Sequence, residues 1–131
     1  MKLTIPFYLH KASAGFPSPA TDYIEEDVDL NVHLIKNAPA TFIIRVQGKS
    51  MTDVGIHDGD LLIIDRSLKP KNFSTVVANV HDELVVKSFV KFKDGQFLTS
   101  GSKNIEDKII INDESNIFIW GIVTYVIHST Y

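Results

Sequence analysis

Leu84-Val85-Val86-Lys87-Ser88-Phe89-Val90-Lys91-Phe92 is a run of β-branched and aromatic residues too short and too crowded at Cβ for a surface helix. It follows a second such run, Thr75 to Val80, across the turn-forming triplet His81-Asp82-Glu83. Further β-rich runs occur at Thr41 to Val46, Leu61 to Asp65, Gln96 to Thr99, Lys108 to Ile111 and Ile117 to Ile127. Turn residues punctuate them at Asp58-Gly59, Lys93-Asp94-Gly95 and Asn112-Asp113. The pattern predicts a mostly β domain over residues 40–131, built from antiparallel strands in two packed or strongly curved sheets. Gly121 stands near the middle of the last and longest run, where it predicts a bend or bulge.

Residues 1–39 read differently. Four of the five prolines, Pro6, Pro17, Pro19 and Pro39, lie there with an acidic cluster from Asp22 to Asp29. One short helix is expected, capped by Asp29 and running through Leu30, Val32 and Leu34 to about Lys36. The remainder is expected to be an extended N-terminal arm, because each proline locks its own φ and pushes the residue before it toward extended geometry.

The 131 residues suit one domain that buries a core without staples. There is no cysteine, which removes disulfides, thiolate metal sites and a cysteine nucleophile. Net charge is -3, and the 13 basic residues are scattered, so strong direct binding to nucleic acid through a basic face is not expected. The most basic stretch, Arg66 to Lys71, reads as a solvated loop broken by Pro70. The first residues lack the apolar core of a signal peptide, and no run approaches the ~20 apolar residues of a membrane span. A soluble cytoplasmic protein is the resulting expectation. The histidines His10, His33, His57, His81 and His128 are spread along the chain without metal-ligand spacing, so no metal or cofactor is expected.

Two side chains carry possible chemistry. Ser50, in Gly48-Lys49-Ser50-Met51, is a candidate nucleophile, and Lys87 a candidate base. A lysine serves as base only when neutral, whereas its reference pKa is ~10.4, so working near pH 7 takes about 4.6 kcal/mol of bias against the ammonium. Strand alternation puts Lys87 on one face with Val85 and Phe89, an apolar setting that supplies such bias. On spacing alone, a surface lysine and a serine in an ordinary turn remain the simpler reading, since lysine is rarely buried. Met51 reads as an apolar filler beneath the loop, and Asp58-Gly59-Asp60 as a turn into the Leu61 run. Trp120 and Phe118 read as core or dimer-interface residues.

Gly48-Lys49-Ser50-Met51, Asp58-Gly59-Asp60 and Val86-Lys87, in this order and spacing, resemble the catalytic core of the LexA-type self-cleaving serine peptidases. The resemblance, strongest to the UmuD branch, extends through Gly15-Phe16-Pro17-Ser18-Pro19-Ala20, Asp22-Tyr23 and Asp29-Leu30-Asn31 and returns at Phe118-Ile119-Trp120-Gly121-Ile122-Val123. It implies the curved antiparallel fold shared by LexA, UmuD and signal peptidases, without the anchor of the last. It implies that Ser50 attacks the carbonyl of Ala14, that neutral Lys87 takes the hydroxyl proton, and that the Ala14-Gly15 bond is cut. Backbone N–H groups of Lys49 and Ser50 are the weaker candidates for an oxyanion hole. The implied partners are a second copy of the chain in a homodimer, the RecA filament on single-stranded DNA, and a UmuC-type translesion polymerase.

This sequence departs from the branch in three places. Chromosomal members have Cys-Gly at the bond, whereas Ala14-Gly15 is more like LexA and plasmid-borne members. Asn72-Phe73-Ser74 stands where Gly-Asp is common, and the arm before Ala14 is short. Fourteen residues are too few for the helix-turn-helix module that precedes the bond in repressors, so a complete repressor is not expected. Two other readings compete with self-cleavage. One is a binding module that has lost useful peptidase activity and regulates a polymerase or RecA by association; the other is a conventional peptidase acting in trans.

Overall fold

The computed structural model describes residues 4–8, 24–93, 95–101, 104–111, 114 and 116–131. The chain divides into two compact units, Met1–Ala38 and Pro39–Tyr131.

In the first unit, β1 (Thr4–Tyr8) pairs antiparallel with β2 (Ile24–Asp29), with Thr4 opposite Asp29 and Ile5 opposite Val28. The sequence indicated extended chain here but not this pairing, since the acidic β2 carries no alternating apolar face. The helix α1 (Leu30–Leu34) follows at once. Its cap is the expected one: Asp29 has extended backbone angles, and its carboxylate accepts the N–H of Asn31 at 3.0 Å.

The second unit is one antiparallel sheet of seven strands: β3 (Thr41–Arg45), β4 (Leu61–Asp65), β5 (Thr75–Val80), β6 (Glu83–Phe92), β7 (Gly95–Ser100), β8 (Asn104–Ile110) and β9 (Ile117–Ile127). Their spatial order is β3-β4-β9-β5-β6-β7-β8. The β5–β6 hairpin closes with two residues, His81 and Asp82, between the paired Val80 and Glu83. Both have positive φ, +51° and +67°, the mirror-image turn whose twist matches that of the flanking strands. Strand β8 starts four residues before the apolar run that marks it in the sequence. Its first residues are polar, which an edge strand tolerates.

Alternation along the central strands splits their apolar residues between two faces. One face gathers Val46, Met51, Ile56, Leu62, Ile64 and Val77. The other gathers Val76, Ala78, Phe89, Leu98, Ile117 and Ile122. The sheet is strongly curved. Strands β3 and β6 stand four places apart in its order, ~19 Å if it were flat, yet residues of both line one cavity.

The long β9 is bent twice. Its register against β5 slips between Val77 and Ala78, leaving Trp120 as the extra residue beside Gly121, and its register against β4 slips between Ile63 and Ile64. The bulge expected at Gly121 is therefore present. A side chain at Gly121 would place its Cβ 2.4 Å from Cγ2 of the fully buried Ile64. Gly121→Ala is expected to cost ~1–3 kcal/mol through this overpacking, read as a lower denaturation midpoint at unchanged slope. A midpoint equal to that of the parent chain would mean that β9 slides freely past β4.

Phe73 takes φ +68°, in the region that favours glycine. In Asn72-Phe73-Ser74 the backbone therefore makes a left-handed turn at a bulky residue. The backbone N–H of Phe73 to Phe89 O at 2.7 Å, and that of Phe89 to Ser74 O at 2.8 Å, hold the turn against β6.

Candidate active site

Between β3 and β4 the chain makes a long loop, residues 46–60, that folds back on itself. Val46 N–H donates to Asp60 O at 2.8 Å and Gly59 N–H to Val46 O at 2.9 Å, so the loop closes where it began. Gly48 turns the chain at φ +106°, a conformation that few side chains permit, and its N–H donates to the Asp58 carboxylate at 2.8 Å. Arg45 adds a bond from its guanidinium to Gly59 O at 2.9 Å. Met51, 3 % exposed, is the apolar foot that seats the loop on Val46, Ile56 and Leu62. Its Sδ accepts the backbone N–H of Gly101 at 3.1 Å, tying the loop to the end of β7.

Ser50 stands on this loop immediately before Met51 and is exposed. Among the described residues, the amides of Lys49 and Ser50 donate to no backbone acceptor.

Lys87 lies on β6 and is half-buried. It pairs across β5 with Val76, while Phe89 pairs with Leu98, so the face it shares with Val85 and Phe89 is the apolar one expected. Its Nζ bonds to Ser100 Oγ at 2.7 Å. Sequence reasoning missed Ser100. Its position on the neighbouring strand, two residues beyond Leu98, would have pointed to it once the β6–β7 register was known.

Ser50 and Lys87, contributed by the loop and by β6, line a single cavity of about 340 Å³. Ile44, Val46, Val77, Val85 and Val86 supply its apolar wall, and Arg45, Gln47 and Gly48 a polar rim. A hydroxyl and an amine on the same cavity are a nucleophile and a base of the kind that acyl transfer uses. Ala14 and Gly15 lie outside the described residues.

The two aspartates of the turn have separate tasks. Asp58 holds Gly48, as above. Asp60, 2 % exposed, accepts the His57 N–H at 2.8 Å and meets His128 Nδ1 at 2.6 Å. The His57 backbone N–H, and after it the His128 side chain and the charges of both rings, hold the Asp60 carboxyl below the usual carboxylate range although burial pushes it up. His57 and His128 stack at 4.9 Å between ring centroids. Their approach was hidden in the sequence, because it depends on the β4–β9 register that sets Leu61 opposite Ile127.

Trp120 is half-buried and packs against the first cluster, with the Arg66 guanidinium 4.4 Å from its ring centroid. Phe118 is 44 % exposed. Among the described residues, no helix is long and apolar enough to cross a membrane.

The sequence pattern of the family described as Peptidase S24-like matches residues 6–124. The chain is 41 % identical over 122 residues to Protein MucA of Salmonella typhimurium, covering 93 % of this chain and 83 % of that protein. It is 40 % identical over 125 residues to Protein ImpA of Shigella flexneri, covering 95 % and 84 %. The LexA repressor of Clostridium novyi is 36 % identical over 107 residues, 82 % of this chain and 52 % of that protein.

Proposed function

The chain belongs to the Peptidase S24-like family, and we propose that it is a self-cleaving serine peptidase of the UmuD kind whose one substrate is its own Ala14-Gly15 bond. The observation that carries this reading is the cavity shared by Ser50 and Lys87.

In the proposed reaction Ser50 Oγ adds to the carbonyl carbon of Ala14 while the neutral amine of Lys87 takes the hydroxyl proton. The oxyanion that forms accepts hydrogen bonds from the N–H groups of Lys49 and Ser50. Collapse breaks the bond to Gly15, whose nitrogen leaves as an amine with the proton carried by Lys87. Water then releases residues 1–14 from Ser50, with Lys87 again as base. Small residues at the bond suit a peptide that must bend into a narrow site, since Gly15 accepts backbone angles closed to others.

Ser100 positions the base. A hydrogen bond that orients the neutral amine contributes ~0.5–1.5 kcal/mol, so Ser100→Ala is expected to slow cleavage up to about tenfold and to move its pH–rate profile, while Ser100→Thr restores much of the rate. A profile unmoved by Ser100→Ala, at equal stability, would reduce the bond to a structural one.

By kinship with the UmuD branch, the chain acts as a homodimer, is stimulated by RecA filaments after DNA damage, and in its shortened form serves a UmuC-type error-prone polymerase. DNA is then reached through partners, in keeping with the net charge of -3. The test is to incubate the full chain with RecA, single-stranded DNA and a slowly hydrolysed ATP analogue and to read intact masses. A fragment beginning at Gly15 is the expected product. A chain left uncut there and at alkaline pH would favour the non-cleaving binding module.

A further inference from the structure

We propose that His57, Asp60 and His128 form a binding site for one divalent transition-metal ion of the zinc class, outside the peptidase cavity and independent of the cleavage reaction. The three side chains offer ligand atoms that all lie within 4.8 Å of one another. Around a four-coordinate zinc with bonds of ~2.0–2.1 Å, such atoms stand ~3.4 Å apart. The widest separation therefore needs to close by little more than an ångström, while the His128–Asp60 pair, now at 2.6 Å, opens by a little less. The mobile members can do so: the His57 and His128 side chains are 51 % and 48 % exposed. The fixed member is Asp60, 2 % exposed and anchored by the His57 N–H at 2.8 Å.

Donor chemistry selects the ion. Two imidazole nitrogens and one carboxylate suit zinc, nickel, cobalt or copper, whereas calcium and magnesium favour oxygen shells. In binding, the metal takes the place of the proton between His128 Nδ1 and Asp60 Oδ1, now 2.6 Å apart, and the fourth coordination position is left to water or an outside ligand. Main-chain pairing brings the set together: Asp60 precedes β4 and His128 follows β9, with Leu61 opposite Ile127. An ion held there clamps the closed end of the Ser50 loop to the last strand.

The experiment strips the full chain with a chelator, titrates it with zinc and follows both the heat of binding and the melting temperature. Cobalt in parallel reports coordination through its visible absorption. Expected are one ion per chain, a higher melting temperature with zinc, and affinity weakened about tenfold or more by His57→Ala or His128→Ala. Both histidines are half exposed, so these variants fold, which a melt without metal verifies. His81→Ala, altered on the distant β5–β6 turn, is expected to bind as the parent does. Absence of binding, affinity that survives both substitutions, or equal loss in His81→Ala would each overturn the site.

Discussion

Ser50→Ala is expected to leave the chain intact under conditions that cut the parent, a loss on the order of 10,000-fold or more in the rate of cleavage. The hydroxyl is the only atom removed, and Ser50 is exposed on a loop held by Met51, Gly48 and Asp58, so the fold is expected to keep its melting temperature. Lys87→Ala is expected to match it, because a nucleophile without its base and a base without its nucleophile fail as one unit. Lys87→Met separates chemistry from packing by keeping the apolar stem beside Val85 and Phe89. In the absence of RecA, the Lys87 variants are expected to stay uncut even at about pH 10, where the parent is cut. Mixing variant chains refines the result. If a Ser50→Ala chain is cut only when mixed with an uncuttable Gly15 variant that retains Ser50, the arm is served by the partner subunit. A Ser50→Ala chain that on its own releases a fragment beginning at Gly15 would remove Ser50 from the mechanism.

How much of this was legible in the sequence follows from the range of each interaction. The strands from Thr41 onward are local features, written in β-branched runs and turn residues. All seven were readable, with β8 misjudged only where polar residues sit on an edge strand. The helix cap at Asp29 is equally local. Pairing is not local. Nothing in Thr4–Tyr8 announces Ile24–Asp29 as its partner, and a prediction of curved sheets does not specify one sheet in the order β3-β4-β9-β5-β6-β7-β8. The candidate site divides in the same way. Ser50 and Lys87 were legible through family resemblance, not through spacing, which favoured a turn serine and a surface lysine. Ser100 and the His57–Asp60–His128 cluster depend on strand register and escaped notice. Phe73 shows the converse: the loop that looked doubtful keeps a turn at φ +68° because hydrogen bonds to β6 over-determine it.

Phe89→Ala is expected to cost ~3–5 kcal/mol of stability, against less than about 1 kcal/mol for Phe92→Ala three residues along the same strand. Strand alternation sends the two to opposite faces, but the sequence does not say which of those faces is covered. Phe89 is 2 % exposed and packs with Val76, Leu98 and Ile122, while Phe92 is 55 % exposed at the mouth of the β6–β7 turn. Truncating Phe89 removes apolar area from water's reach and leaves a cavity that the close-paired β5, β6 and β7 cannot collapse without moving their hydrogen bonds. A domain of this size is held by ~5–15 kcal/mol, so the variant stands near unfolding at room temperature. The loss bears on chemistry as well. Phe89 shares its face with Lys87, so loosening that wall disturbs the setting of the proposed base. Below its melting transition, Phe89→Ala is therefore expected to cleave more slowly than Phe92→Ala. Equal stability losses for the two variants in denaturant melts would show that the apolar face beneath Lys87 is not where the sheet's second core lies.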